Sequence, residues 1–399
     1  MADHDPGRGA FERRVEALLS RYRDAWCGEI EVFEGGAFQR GFFSGMWLSA
    51  STLVQHADRL WRLWPSRYLQ LHRHDVGDAS AQLAACPALA RYRSLIFRGG
   101  ALDDEDLVQL ASSPHLAELE ELELEDCDIG DGGQIALARA PQLGKLRVLD
   151  LGCRIETLRL RRRRLGEALG PVLAAFPALT ELDLSETRLG TSGVARLAAL
   201  PLRPRSLGLN RNNIYVGGAY ALARSPILDG VETLNVSSNP MGEAGALALV
   251  TSPHLRALRC LVYGGEGGIP NAAVVAAIAH ALPWLEELVL PFANIGPEGA
   301  GALAAGNLPN LTRLELFADG IGDAGAIAIA RSTALPSLRS LDVSANGLTD
   351  TGALAFAESP HLAELDILRI RSTPLRQHTV DALRARFGRR VDVNDSPAP

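Results

Sequence analysis

The sequence predicts an α/β solenoid, with a parallel β-sheet on the concave face of a horseshoe and helices on the convex face. Pairs of apolar residues separated by one residue, of which the first is a leucine and the second is usually a leucine, recur along the chain at steps of about 27 residues, apart from one longer and one shorter interval. Each pair is followed by a turn and then by apolar residues at helical spacing. The first leucines of these pairs are Leu69, Leu95, Leu122, Leu149, Leu182, Leu207, Leu234, Leu261, Leu288, Leu314, Leu341 and Leu368. Such a period indicates one elongated array rather than several compact domains.

A single repeat shows how its strand and helix are predicted. Leu122 and Leu124 alternate with glutamates, which is typical of a short strand with one buried face. Gly130 then marks a turn, and Ile135 and Leu137 follow at helical spacing. Because a helix is wider than a strand, stacking such units bends the array and leaves the strands on its inner wall.

The N-terminal segment, residues 1–66, does not carry the repeat. Apolar spacing predicts a helix over residues 11–26, and Ser49 or Ser51 is placed to cap a second helix. This second helix would bury Leu53, Val54, Leu60, Trp61 and Trp64. Since the first repeat of an array has no neighbour over its apolar edge, we interpret the segment as a helical cap. A separate binding role for the segment is the alternative.

The rest of the chain completes the predicted organisation. About twelve repeats form a solenoid over residues 67–393. Val380, Leu383 and Phe387 form the last apolar helix face, and Val391 and Val393 add an edge strand. Residues 394–399 are expected to be a disordered tail.

Composition and charge exclude several classes of partner. The net charge of -7 gives no reason to expect nucleic acid or an anionic membrane. The five cysteines contain no CxxC pair, which favours a reducing compartment. No apolar segment follows the N-terminal residues MADHDPGRGAFERR, so we expect no secretory signal and a cytoplasmic, monomeric protein.

The clearest repeat copies carry a resemblance to a known family. They are LGLNRNNIYVGGAYAL (207–222), LNVSSNPMGEAGALAL (234–249) and LDVSANGLTDTGALAF (341–356). They resemble leucine-rich-repeat proteins of the ribonuclease-inhibitor-like subtype. The resemblance implies that an asparagine in each repeat bonds the backbone between turns. Asn212, Asn239 and Asn346 occupy that position and Cys127 replaces it, whereas Thr187, Ala293 and Asp319 are expected to interrupt the ladder.

The segment FQRGFFSGMWLSASTLVQHADRLWRLWPSRYLQL resembles the repeat-companion segment that precedes such repeats in some bacterial proteins. This second resemblance implies a bacterial origin and no particular activity.

One repeat is interrupted by a basic insertion over residues 152–164. Arg159 and Arg161 to Arg164 make it strongly basic. An insertion between strand and helix emerges at the rim of the array. A solvated loop and a contact for an acidic partner both explain it. Nucleic-acid binding is disfavoured because no aromatic residues lie among the arginines.

Sequence motifs for catalysis are absent. The chain has no GxxxxGK[ST], no GxSxG and no HExxH. We therefore predict no catalytic, cofactor-binding or metal-binding residues, no cofactor and no enzymatic activity.

The predicted inner wall consists of residues that alternate with the buried leucines. It begins acidic and later becomes apolar and aromatic, ending near Arg369 and Arg371. Exposed aromatic residues on a concave wall favour a partner that covers them. The candidate partner-binding residues are Glu121, Glu123, Glu125, Asp150, Glu181, Asp183, Val262, Val289, Phe292 and Phe317.

Three functional hypotheses follow. The preferred one is a non-enzymatic scaffold that binds a protein through its concave face. The second is a regulator of a partner enzyme, either an inhibitor of the ribonuclease-inhibitor type or a GTPase activator, and it depends on fold resemblance alone. The third is an enzyme of unrecognised type.

Overall fold

The structure is a computed structural model that describes residues 35–39, 42–63, 65–71, 76–98, 102–152, 169–265 and 272–393. The chain divides into two compact units, Met1–Leu146 and Arg147–Pro399. Three predicted features lie outside the described residues: the helix over residues 11–26, insertion residues 153–164 and the tail 394–399.

The first unit contains a sheet whose strands pair in chain order. β1 and β2 are antiparallel, and the pairs β2–β3, β3–β4 and β4–β5 are parallel. The strands are β1 (Gly35–Gln39), β2 (Phe42–Leu48), β3 (Tyr68–Leu71), β4 (Ser94–Arg98) and β5 (Glu121–Glu125). The helices are α1 (Ala50–Leu63), α2 (Val76–Ala84), α3 (Asp104–Ala111) and α4 (Asp131–Ala138).

The second predicted helix of the N-terminal segment is confirmed as α1. Ser49 Oγ accepts a hydrogen bond from Thr52 N at 3.2 Å, as expected of a residue that caps a helix. Leu53 and Leu60 are 0% and 1% exposed, as predicted. Val54 and Trp61 are partly exposed instead of buried, and Trp64 lies outside the described residues. In addition, β1 and β2 form a hairpin that the sequence analysis did not assign. The glycines in EGGAFQRGFFSG obscure the alternation that would have indicated these strands.

The second unit contains parallel strands that also pair in chain order. They are β6 (Val148–Asp150), β7 (Glu181–Asp183), β8 (Ser206–Gly208), β9 (Thr233–Asn235), β10 (Cys260–Val262), β11 (Glu287–Val289), β12 (Arg313–Glu315), β13 (Ser340–Asp342), β14 (Ile367–Ile370) and β15 (Val391–Val393). The helices are α5 (Leu169–Ala175), α6 (Gly190–Ala198), α7 (Val216–Ala223), α8 (Gly242–Val250), α9 (Ala272–Ala281), α10 (Gly296–Ala304), α11 (Gly322–Ala330), α12 (Asp350–Ala357) and α13 (Gln377–Phe387). The predicted edge strand is therefore confirmed as β15.

The repeating leucines form the core. All twelve predicted first leucines lie in strands and are at most 1% exposed. Within the second unit they stand opposite one another in register from Leu149 to Leu368. Burial of each such side chain contributes about 1.5–3 kcal/mol. The predicted α/β solenoid with a parallel sheet and alternating helices is confirmed.

The asparagine ladder fixes the turn that follows each strand. Asn346 Nδ2 donates to Leu316 O at 2.6 Å, and its Oδ1 accepts from Asp319 N at 2.9 Å. Asn212 and Asn239 make the equivalent bonds. At Thr187 the hydroxyl donates to Leu184 O of its own repeat at 2.6 Å, which is not a bond between turns.

Each of these turns also contains a residue in the left-handed region. Its backbone nitrogen donates to a carbonyl of the next repeat, as in Ser238 N to Gly264 O and Ala345 N to Arg371 O. Positive φ at this position occurs in Glu186, Arg211, Ser238, Gly265, Phe292, Ala318, Ala345 and Ser372. The turn therefore favours small or polar side chains.

Candidate functional site

The candidate site lies on the sheet face of the second unit, across strands β10 to β14. Paired positions place Val262, Val289, Glu315, Asp342 and Arg369 in one row, one residue from each strand. All five are partly exposed, whereas the leucines beside them are buried. We call these five residues the central row.

Two predicted aromatic residues lie together beside the central row. The rings of Phe292 and Phe317 meet edge to face, with centroids 5.2 Å apart and planes at 74°. Phe292 N also donates to Phe317 O at 2.9 Å, which ties the two turns together. Phe292 is 58% exposed. With Val262 and Val289 on the neighbouring strands, these residues form what we call the aromatic patch.

Phe292 is held in an unfavourable backbone conformation. Its φ is 53°, at the turn position that other repeats fill with smaller or polar residues such as Ser238 and Ala345. A left-handed conformation costs about 1–2 kcal/mol for a residue with a side chain. A strained and exposed aromatic residue is favoured by neither folding propensity nor burial, which makes Phe292 a candidate for function.

Asp319 lies directly behind this turn. Its Oδ1 accepts from Ala293 N at 2.6 Å and from Asn294 N at 3.1 Å, the two residues after Phe292. The side chain is 0% exposed, and Oδ2 has no hydrogen-bond partner in the described part of the chain. Burial raises the pKa of Asp319 to about 7, against the lowering effect of the two backbone N–H groups. The predicted ladder interruption is therefore found here, as a buried carboxyl that holds the Phe292 turn.

A charged cluster that was not predicted from the sequence borders the patch. The Arg313 guanidinium donates to Glu315 Oε1 at 2.7 and 3.0 Å and to Glu287 Oε2 at 3.2 Å. Cys260 lies beside Glu287, and burial followed by the Glu287 charge raises the pKa of its thiol to about 11. Residues that precede the first leucine of each pair share this face, so the same alternation could have identified them.

In the first unit, the predicted acidic residues pair with an arginine of their own sheet. Arg98 Nε lies 2.9 Å from Glu125 Oε2, and Arg98 Nη2 lies 3.6 Å from Glu123 Oε2. Glu125 is only 8% exposed, whereas Glu121 and Glu123 are partly exposed. Burial, followed by the Glu123 charge, raises the pKa of Tyr68 on the same face. Glu125 therefore offers little surface to a partner.

In the second unit, two of the three predicted acidic residues bond the backbone of their own turns. Asp150 is 7% exposed, and its Oδ1 accepts from Gly152 N at 2.6 Å. Asp183 Oδ1 accepts from Ser185 N at 2.8 Å. Glu181 is exposed. The acidic residues near the start of this unit thus have local structural roles that the alternation alone could not reveal.

Two properties of the described residues bear on other kinds of site. None of their helices is both long and apolar enough to cross a membrane. They also contain no group of three or more His, Cys, Asp or Glu side chains arranged to hold a metal ion.

Comparison with known proteins identifies the repeat. The family model described as "Leucine Rich repeat" matches residues 115–138, 177–198, 231–250, 281–304, 307–330 and 334–357. The matched segments are therefore leucine-rich repeats. Each of the six matched segments contains one strand and the helix that follows it.

The chain is also similar to three known proteins. A Tonsoku-like protein from Bos taurus is 29% identical over 180 residues, which cover 42% of this chain and only 12% of that relative. A chain from the crystal structure of the yeast Rad7 and Elc1 complex aligns with a TM-score of 0.53 and 14% identity. The alignment covers 98% of this chain and 98% of that chain. An internalin from Listeria monocytogenes covers 83% of this chain and 79% of its own, with a TM-score of 0.47 and 18% identity. At these identities the structural likeness concerns the fold alone.

Proposed function

We propose that this chain is a non-enzymatic scaffold that binds a protein partner through the exposed sheet face of its leucine-rich repeats. The observation that carries the proposal is the aromatic patch, where Phe292 is 58% exposed although its backbone is strained. Aromatic side chains anchor protein interfaces because they bury a large area with few rotatable bonds.

The surroundings of the patch fit the same role. Glu287, Arg313 and Glu315 form a polar border beside apolar Val262 and Val289. An apolar centre with a charged border is the usual arrangement of a protein interface. The acidic residues Glu121 and Glu181 are proposed as peripheral contacts that steer association.

The wider setting belongs to the same proposal. We place the repeats in the ribonuclease-inhibitor-like subtype, since each step of about 27 residues holds a strand and a helix. We propose a monomeric bacterial protein of the cytoplasm, with residues 1–66 as a cap, 67–393 as the solenoid and 394–399 as a tail. Nucleic acid and membranes are not proposed as partners, because the net charge is -7.

Affinity capture with matched variants tests the proposal. Phe292→Asn combined with Phe317→Ser removes both rings, and Ala345→Asn places the same amide at an equivalent left-handed turn position, φ 58°. Proteins captured from the native host by the wild-type chain should be retained by the Ala345 variant and lost by the double variant. An identical set of captured proteins for all three chains would refute the proposal, and capture of nucleic acid alone would replace it.

A further inference from the structure

The central row carries side chains of three kinds in a fixed order. From β10 to β14 it is apolar at Val262 and Val289, acidic at Glu315 and Asp342, and basic at Arg369. Neighbouring strands lie about 4.8 Å apart, so the four steps from Val262 to Arg369 span about 19 Å. A partner that follows this row must present matching groups at nearly the same interval.

A helix lying across the strands matches this interval better than an extended segment does. One helical turn rises about 5.4 Å, which differs from the strand spacing by about 0.6 Å. Side chains on one face of an extended segment recur about every 6.7 Å, which differs from the strand spacing by about 1.9 Å. Over four steps the mismatch accumulates to about 2.4 Å for a helix and about 7.6 Å for an extended chain. After four steps, the side chains of an extended segment are therefore displaced from the central row by more than one strand spacing.

The aromatic patch supplies an apolar border along one side of the row. Phe317 follows Glu315 by two residues, and its ring meets that of Phe292. An amphipathic helix in a groove needs such a border, because its apolar stripe is wider than one side chain. Glu315 Oε1 already accepts from Arg313, and Asp342 Oδ1 accepts from Ser344 N, so each residue offers its second carboxylate oxygen to a cationic side chain opposite it. Arg369 favours a carboxylate.

We infer that the central row docks an amphipathic α-helix of a protein partner, with two apolar, two cationic and one acidic residue spaced one turn apart on its docking face. The inference rests on the proposed function, because it specifies what occupies the same face. The order of the side chains also places the apolar end of the partner helix over β10 and its acidic end over β14.

Three designed peptides test the inference with the full chain. The first is a hydrocarbon-stapled helix of about five turns that carries Leu, Leu, Lys, Lys and Glu one turn apart on one face. The second has the same composition in the order Lys, Leu, Glu, Lys, Leu. The third keeps the first order but has two prolines among its outward positions, which prevent a helix. Binding of each peptide is measured by fluorescence anisotropy.

The first peptide should bind at least tenfold more tightly than the other two. Glu315→Gln combined with Asp342→Asn should weaken its binding at least tenfold. This variant should keep its fold, because an amide at position 342 still accepts from Ser344 N, where the native distance is 2.9 Å. Glu298→Gln, an exposed site in helix α10 rather than in the sheet, is the control and should leave the affinity unchanged.

The remaining outcomes separate this inference from the proposed function. Equal affinity for the first two peptides would overturn the helix assignment. Tighter binding of the proline peptide that is lost in the Phe292→Asn, Phe317→Ser variant would also overturn it, since an extended partner would then occupy the face. If neither peptide binding nor capture of the native partner depends on the two phenylalanines, the proposed function fails as well.

Discussion

Replacing Asp319 by asparagine should stabilise the protein in a strongly pH-dependent way. Asp319 occupies a ladder position where Asn212, Asn239 and Asn346 each donate an amide hydrogen to a backbone carbonyl. A carboxylate cannot donate, and its Oδ2 is buried with no hydrogen-bond partner among the described residues. Asp319→Asn keeps the acceptor for Ala293 N and Asn294 N and supplies the missing donor.

The raised pKa gives the size and sign of the effect. The pKa of Asp319 is about 7 in the folded chain, against an ordinary value of 3.8. Between these values the folded state binds the proton and the unfolded state does not, so stability falls as pH rises and then levels off above pH 7. The difference of 3.2 pKa units corresponds to about 4 kcal/mol at about 1.36 kcal/mol per unit. The variant should therefore gain about 4 kcal/mol at pH 8 and little at pH 4.

Urea denaturation of both proteins at pH 4, 6 and 8 measures this gain as a shift in the unfolding midpoint. Asn346→Asp is the reciprocal control, because it places a carboxyl at a ladder position that is 2% exposed, and it should lose stability at pH 8. A gain for Asp319→Asn that is the same at all three pH values, or no gain at pH 8, would refute the argument from carboxylate burial.

Three further predictions concern single side chains. Phe292→Asn should change the free energy of unfolding by less than about 1 kcal/mol, because relief of backbone strain offsets loss of the ring pair. Denaturation of this variant and of the control variant Ala345→Asn measures the change. A loss of stability above about 3 kcal/mol would mean that Phe292 is a core residue. Gln134→Met in α4 should raise the free energy of unfolding by about 1–3 kcal/mol, since Gln134 is 0% exposed and its amide has no hydrogen-bond partner in the described residues. Gln109→Met, at an exposed position, is the control. A loss of stability in Gln134→Met would contradict the reasoning. Cys260 should resist iodoacetamide at pH 8, because its thiol has a pKa of about 11; peptide mapping that finds labelling as fast as for a small-molecule thiol would refute this.

The leucine period was sufficient to predict the strands, their order and their parallel register. Leucines such as Leu149, Leu207 and Leu368 occupy equivalent positions because each repeat must fill the same interior volume. Since this packing requirement is repeated about twelve times, a single sequence is enough to detect it. The N-terminal hairpin was not predictable in this way, because it occurs once and its glycines break the alternation.

The candidate site was only partly predictable. Alternation placed Phe292 and Phe317 on the exposed face, but their contact depends on a turn whose φ of 53° has no sequence signal. Alternation also assigned Asp150 and Glu125 to the wall, whereas hydrogen bonds and ion pairs draw these carboxylates into their own repeats. Which acid faces a partner and which caps a turn depends on local geometry that the residue types do not encode.

Hydrogen–deuterium exchange of the full chain, with and without its purified partner, tests the central proposal most directly. We expect protection in strands β10 to β14 and in the turn around residues 290–294, with little change in helices α9 to α12. Protection confined to those helices, with exchange around Phe292 and Phe317 unaltered, would contradict it.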